Sequence, residues 1–215
     1  MNIKELRGWG EQQLAEAGVD TPRLDANVLL AEVLTLTQEQ IITRDEHPVG
    51  LAREAAFKNA ILRRQNFEPV AYIVGKKEFF GRDFFVSPAV LIPRPETELL
   101  VERALLCFKN LPAAEQVTLI DVGTGSGAIL LSLLSTLIDT YGPKVSEHIR
   151  TFGIDCSCDA LKVARKNAAR LQLSSQVQLR EGDLLSALSQ EQISGFVLIT
   201  ANLPYIPTMN GFPPV

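Results

Sequence analysis

A glycine-rich turn, Asp121-Val-Gly-Thr-Gly-Ser-Gly-Ala128, lies between an apolar strand-like run and an apolar helix, and it constrains the fold more than any other feature. Its glycines let the backbone turn tightly and approach a ligand without an intervening Cβ. They also open a helix whose first amides have no partner within the helix. The turn therefore predicts a nucleotide or nucleoside site. Because Gly123, Gly125 and Ala128 also satisfy the dinucleotide pattern, the turn alone leaves NAD and other adenosine-containing cofactors open.

From residue 116 onward, apolar strand-like runs alternate with helical runs. Alternation of this kind predicts an α/β fold with parallel strands joined by right-handed helical crossovers. In such sheets ligands bind beyond the carboxyl ends of the strands. We expect strands at 117–122, 151–154, 177–180 and 195–200, with helices at 129–137 and 160–171.

Acidic side chains follow the second and third of these strands. Asp155 ends the second strand, and Asp183 with the apolar Leu184 follows the third. A carboxylate at this edge is suited to accept hydrogen bonds from both hydroxyls of a ribose. Each acid alone is also compatible with a helix cap, so the prediction depends on their occurring together.

The fourth strand leads into Asn202-Leu203-Pro204-Tyr205. The Asn202 side chain and the Leu203 peptide offer two carbonyl acceptors, and Tyr205 supplies a flat face beside the stiffening Pro204. Two acceptors and a flat face suit an NH2 group on a planar substrate, because each carbonyl accepts one hydrogen and the nitrogen stays free to attack an electrophile. A proline-stiffened strand exit without a ligand is the alternative.

The chain before residue 116 divides into two further segments. Residues 1–75 show helical spacing of apolar residues and predict a small all-α domain, with a helix start at Thr21-Pro22. Residues 76–92 are aromatic and β-branched and predict a β-hairpin linker that divides at Gly81-Arg82-Asp83, the strand-like texture beginning at Tyr72. The domain that carries the sheet is then 93–215.

Charge and cysteine content exclude several classes of protein. The formal charge of −4 gives no overall attraction to a phosphate backbone, so no direct nucleic-acid partner is expected. Three cysteines and two histidines, in no metal-ligand spacing, predict neither a disulfide framework nor a metal site and favour a reducing cytoplasm. No apolar stretch is long enough to span a membrane as a helix.

These motifs together resemble the class I S-adenosylmethionine-dependent methyltransferases that methylate amino groups. More narrowly, the chain is similar to the HemK/PrmC family, which methylates the glutamine amide in the Gly-Gly-Gln loop of peptide-chain release factors. The segments that carry this resemblance are Glu68-Pro-Val-Ala-Tyr-Ile73, Phe79-Phe-Gly81, Leu91-Ile-Pro-Arg-Pro-Glu-Thr-Glu98 and the leading helical domain. The resemblance implies a Rossmann-like fold, S-adenosyl-L-methionine as cofactor, a release factor as partner and substrate, and a helical domain that recognises it.

Carried over residue by residue, the resemblance assigns the site. The glycine turn would meet the methionine part of the cofactor, Asp155 the ribose, Asp183 with Leu184 the adenine edge, and Asn202 would border both ligands. Asn202 and the Leu203 carbonyl would hold the substrate amide, with Pro204 and Tyr205 completing the catalytic motif. The turn residues concerned are Gly123, Thr124, Gly125, Ser126 and Gly127.

The chain departs from the family in two respects. Family members usually have proline at the position of Leu203, so its carbonyl is retained but its φ is less restricted. The family sheet has seven strands, and four are expected here, which predicts an incomplete sheet, an apolar edge at the fourth strand and a C-terminally truncated chain. The complete protein is expected to be a monomer.

Two other functions are compatible with the same residues. A methyltransferase acting on N6 of adenine, or on another exocyclic amine of a nucleic acid, would present a comparable NH2 group on a planar ring. An inactive binding module would keep the helical domain and part of the cofactor site without turnover.

Overall fold

The computed structural model of the chain describes residues 1–111 and 116–203. They fall into two compact units, of which the first is Met1–Gly75 and the second begins at Lys76. In these two ranges no helix is both long and apolar enough to cross a bilayer.

The first unit consists of helices around one apolar core. Its helices are α1 (Ile3–Glu16), α2 (Pro22–Leu34), α3 (Gln38–Thr43), α4 (Leu51–Gln65) and α5 (Val70–Val74). Leu6, Leu30, Phe57 and Ile61 are completely buried in that core. Helix α2 begins at Pro22, as the Thr21-Pro22 pair predicts.

Helix α5 differs from the sequence expectation, because Tyr72 lies in a helical turn and not at the start of a hairpin. Pro69 stands at the N-terminal boundary of this turn, and Gly75 ends it at φ 76°. These two residues isolate one helical turn in a stretch whose β-branched composition favours a strand.

The second unit begins with an antiparallel hairpin of β1 (Lys76–Phe79) and β2 (Arg82–Phe85). Phe80 and Gly81 form the two-residue turn, and both have positive φ, of 51° and 69°. Such a turn matches the twist of the two strands. Arg82 and Asp83 therefore belong to β2, where the sequence predicted the division, and strand pairing ends at Phe85.

The parallel sheet follows the hairpin and positions the site. Its elements are α6 (Glu98–Lys109), β3 (Val117–Val122), α7 (Ala128–Tyr141), β4 (Ile149–Asp155), α8 (Cys158–Arg170), β5 (Gln178–Glu181) and β6 (Phe196–Ala201). Short 3₁₀ helices cover Pro95–Thr97, Pro143–His148 and Leu184–Leu188. The strand order is β5-β4-β3-β6, and every pair is parallel. This order agrees with the alternation of strands and helices in the sequence.

Burial is uneven across the sheet. Strand β3 is buried along its whole length, whereas β6 leaves Phe196, Val197 and Ile199 between 41% and 48% exposed. Among the described residues, β6 is hydrogen-bonded to β3 alone. The outer edge of β6 is the apolar edge that the sequence predicts.

Candidate functional site

The register of the parallel strands brings the predicted site residues to one edge of the sheet. Val122 pairs with Ile154 on one side and with Ala201 on the other. The residues that follow, including Gly123 and Asn202, therefore leave the sheet side by side. Asp155 pairs with Glu181 on β5, which adds two carboxylates to this edge.

Backbone hydrogen bonds join the glycine turn to β4 and close it on itself. Thr124 N donates to Ile154 O at 2.8 Å, and Gly127 N donates to Thr124 O at 2.7 Å. Thr124 and Ser126 are only 6% and 4% exposed. Their side chains are therefore largely enclosed by protein, and the turn offers a ligand mainly peptide groups.

Gly127 shows why this turn requires glycine. It is the N-cap of α7 with φ 79°, and a Cβ placed there would lie 2.9 Å from Leu131 Cδ1. A side chain at this position would be strained in backbone conformation and crowded by the helix. The glycine lets α7 begin immediately after the turn, with its first amides available to an anionic ligand group.

Asp121 lies beneath the turn and is 1% exposed. Its Oδ2 accepts a hydrogen bond from Thr124 Oγ1 and its Oδ1 accepts one from Thr200 Oγ1, both at 2.7 Å. Burial raises the pKa of this carboxyl to about 6, against the lowering effect of the two hydroxyls, and the charge of Asp155 adds to the rise. Asp121 thus links the glycine turn to β6.

The raised pKa of Asp121 predicts a pH dependence of stability. Because the pKa lies above the usual 3.8, the native state binds the proton more tightly than the unfolded state. The stabilisation of the native state by protonated Asp121 is fully present below about pH 4 and is lost as pH rises through about 6. At 1.36 kcal/mol per pKa unit, the loss in the free energy of unfolding is about 3 kcal/mol. We expect Asp121→Asn to abolish it, measured as the difference in unfolding free energy between wild type and variant from pH 4 to 7. Parallel pH profiles for the two proteins would contradict this prediction.

Asp155 braces the turn from β4. Its Oδ2 accepts from Gly125 N at 2.8 Å, and its Oδ1 accepts from Ser157 N at 2.9 Å. The N-cap of α8 is Ser157, so capping is not the role of Asp155. Each carboxylate oxygen retains acceptor capacity beyond its one backbone N–H bond.

Asp183 and Leu184 are exposed at the same edge of the sheet. Asp183 precedes a 3₁₀ helix, but its side chain makes no capping hydrogen bond. Leu184 is half exposed, and its φ of 48° is unusual for a large apolar residue. The capping explanation that the sequence left open therefore fails for Asp183 as well.

Asn202 and Leu203 lie against the glycine turn and the 3₁₀ helix that precedes α6. Asn202 Nδ2 donates to Thr97 Oγ1 at 3.2 Å. A Cβ built on Gly123, which has φ 68°, would lie 2.6 Å from Leu203 Cδ2. The segment predicted to hold a substrate amide is therefore in contact with the turn predicted to hold the cofactor. Pro204 and Tyr205 lie outside the described residues.

Two further residues belong to this site although the sequence does not mark them as site residues. The hydroxyl of Thr97 does not cap α6, which leaves it available to Asn202. Thr200 belongs to a strand, and its hydroxyl donates to Asp121. Position relative to a strand end gives a signal for Thr200, because it lies two residues before Asn202. Thr97 has no comparable local signal.

The donors and acceptors at this edge suit a cationic nucleoside cofactor. Asp155, Glu181 and Asp183 make it acidic, and no side chain lies within 4 Å of the position that a Cβ of Gly125 would occupy. Cys158 Sγ donates to Glu181 Oε2 at 2.6 Å, which raises the pKa of the thiol. Over residues 1–111 and 116–203, no group of three or more His, Cys, Asp or Glu side chains is placed to hold a metal ion.

Two protein-family models match parts of the chain. Residues 5–75 match the PrmC N-terminal domain, and residues 113–212 match a methyltransferase domain. A release factor glutamine methyltransferase from Moorella thermoacetica is 40% identical over 97% of this chain and 68% of its own length. One from Chlorobaculum tepidum is 41% identical over 90% of this chain and 64% of its own. The chain thus spans about two thirds of these curated relatives.

Among solved structures, the N-terminal domain of human METTL16 in complex with SAH is 16% identical. The match covers 93% of this chain and 67% of that one, with a TM-score of 0.47.

Proposed function

Since the chain belongs to the release factor glutamine methyltransferase family, we propose that it transfers a methyl group from S-adenosylmethionine to a release factor. The acceptor is the side-chain amide nitrogen of the glutamine in the Gly-Gly-Gln loop. The observation that carries this proposal is the contact between Leu203 and Gly123, since it joins the amide-holding segment to the cofactor turn. A release factor substrate supports the proposal that the enzyme acts in the cytoplasm.

The residues of the sheet edge fit this cofactor. Asp155 would accept hydrogen bonds from the ribose hydroxyls, and Asp183 with Leu184 would border the adenine. The backbone of the glycine turn and the first amides of α7 would meet the methionine carboxylate. When bound, S-adenosylmethionine supplies a methyl group on a positively charged sulfur, and the acidic edge complements that charge.

Asn202 and Leu203 would act on the substrate amide by orientation. An amide nitrogen is a poor nucleophile because its lone pair is delocalised into the carbonyl. Asn202 Oδ1 and the Leu203 carbonyl would each accept one of its hydrogens, which favours a pyramidal nitrogen facing the cofactor turn. The new bond from the amide nitrogen to the methyl carbon would replace the bond of that carbon to the sulfonium sulfur, so that S-adenosylhomocysteine would be the leaving group, and one of the two amide protons would leave to water.

Thr97 supports this arrangement by orienting the Asn202 side chain. Because the amide nitrogen of Asn202 donates to Thr97 Oγ1, its oxygen is left to accept from the substrate. We expect Thr97→Val to lower kcat about three- to tenfold, the usual effect of one lost neutral hydrogen bond, with unchanged cofactor affinity. Thr97→Ser keeps the hydroxyl and should restore most of the rate. Equal kcat for the valine and serine variants would contradict the role of Thr97.

The test of the proposed function is a methylation assay with mass spectrometry. The protein is incubated with S-adenosylmethionine and a release factor, and the peptide containing Gly-Gly-Gln is analysed. One added methyl group on the glutamine is expected, and a release factor with that glutamine replaced by alanine is the control. No methyl on the glutamine, or methyl transfer to adenine in nucleic acid, would refute the proposal.

The helical unit is proposed to recognise the release factor. Its match to the PrmC N-terminal domain supports this assignment. The same methylation assay tests this assignment by comparing substrates. A whole release factor should saturate the enzyme at a lower concentration than its isolated Gly-Gly-Gln peptide.

A further inference from the structure

Asn167 on α8 is buried, and its side chain makes three hydrogen bonds to backbone groups that are distant in sequence. Its Oδ1 accepts from Phe85 N at 2.7 Å, and its Nδ2 donates to Phe85 O at 3.0 Å and to Ser126 O at 2.8 Å. The residue is 1% exposed. We propose that Asn167 is a positioning residue that holds the glycine turn in its ligand-binding shape, an inference that rests on the proposed function for the identity of the ligand.

The bond to Ser126 acts on one peptide plane. Ser126 O and Gly127 N belong to the same planar group, so fixing one fixes the direction of the other. Asn167 holds this peptide at its oxygen, and Thr124 O accepts from its nitrogen at 2.7 Å. Held at both ends, the peptide sets where α7 begins and where its first amides point.

The turn needs such an external anchor because of its glycines. Gly125 and Gly127 flank Ser126 with φ 54° and 79°. Glycine populates other backbone conformations about as readily, so the local sequence does not confine the turn to this shape. Asn167, which belongs to helix α8, restricts the conformation of the turn. Its own side chain is fixed by burial and by its two hydrogen bonds to the hairpin residue Phe85.

Loss of this side chain removes one hydrogen-bond partner from each of three backbone groups, of which Ser126 O takes part in a fully buried bond. Asn167→Ala removes the amide from Phe85 N, Phe85 O and Ser126 O together. Thr151→Val is the matched control, because Thr151 is also 1% exposed and its hydroxyl donates to Gln176 O at 2.8 Å in the same unit. The control removes a buried hydrogen bond without touching the glycine turn.

The experiment compares both variants with the wild-type 215-residue protein by two measurements. Hydrogen–deuterium exchange without ligand follows the protected amides of Thr124, Gly125 and Gly127, and calorimetry measures affinity for S-adenosylhomocysteine. Asn167→Ala is expected to accelerate exchange at these amides at least tenfold and to weaken binding at least tenfold. Thr151→Val is expected to lower the thermal midpoint while leaving both quantities at wild-type values.

The proposal is overturned if Asn167→Ala lowers the thermal midpoint but leaves the exchange of the turn and the affinity unchanged. If that variant does not fold, Asn167→Ser, which retains a hydroxyl at the site, is measured by the same criteria. A wild-type protein that binds no S-adenosylhomocysteine would contradict the proposed function. The exchange measurement would still decide the role of Asn167, because it requires no ligand.

Discussion

Replacing Asn202 by alanine is expected to reduce methyl transfer about 10²–10³-fold while affinity for the cofactor stays within a few-fold of wild type. Removal of one preorganised hydrogen-bonding group from an active site typically costs a rate factor of this size. Asn202 contacts Thr97 and, in the proposed mechanism, accepts a hydrogen from the substrate amide. Turnover is measured with labelled S-adenosylmethionine and a release factor, and affinity by calorimetry with S-adenosylhomocysteine.

Asn110→Ala is the matched control for this experiment. Asn110 is an exposed asparagine at the C-terminal end of α6, and its loss should leave both turnover and affinity unchanged. If Asn202→Ala retains full turnover, the amide is not held by this side chain. If affinity falls as far as the rate, Asn202 serves the cofactor and not the substrate.

Replacing Asp155 by alanine is expected to weaken cofactor binding by at least about 10²-fold. Hydrogen bonds to a charged group contribute about 1.5–3 kcal/mol each, and the proposed ribose contact contains two. The variant also removes the acceptor for Gly125 N and Ser157 N. The turn therefore loses a hydrogen bond that holds its backbone, in addition to the proposed ligand contact. Calorimetry with S-adenosylhomocysteine measures the effect.

Asp159→Ala controls for the loss of one negative charge near the same edge. Asp159 lies in the first turn of α8 and forms a surface ion pair with Lys162, so its removal should change affinity less than twofold. Similar losses for the two variants would mean that overall charge, and not the position of Asp155, governs binding.

The fold class is confirmed, and its main features were predictable because they depend on local patterns. Strand β3, the glycine turn and helix α7 follow one another directly, and each has a recognisable sequence pattern. The edge of the sheet that carries the site follows from parallel connectivity alone. The α/β class and the parallel sheet were therefore accessible from local patterns, whereas the class I S-adenosylmethionine-dependent methyltransferase fold was implied by the resemblance to a known family. The roles of individual site residues stay predictions until the variants are measured.

The contacts that support the site were not predictable from local patterns. Thr97 and Asn202 are 105 residues apart, and Asn167 is 82 residues from Phe85. A threonine after a Pro-Glu pair and an asparagine in a helix are ordinary surface residues by composition. Only the packing of the hairpin and the helices around the sheet brings them to their partners.

Local composition was misleading at the start of the hairpin. Tyr72 belongs to a stretch rich in β-branched and aromatic residues, yet it is helical because Pro69 and Gly75 bound a single turn. Phe80 adopts positive φ, which few large residues do, so the hairpin turn was predicted too late in the chain.

The position of β6 makes the substrate-amide segment less stable locally than the glycine turn and Asp155. β3 and β4, which carry the glycine turn and Asp155, each have strands on both sides, whereas β6 is bonded to β3 alone among the described strands. A segment with fewer neighbours opens locally at lower free energy. Heating or mild denaturant should therefore abolish turnover, which depends on β6, before the glycine turn and Asp155 lose their arrangement. For this protein, cofactor binding by a preparation therefore does not establish that the same preparation catalyses methyl transfer.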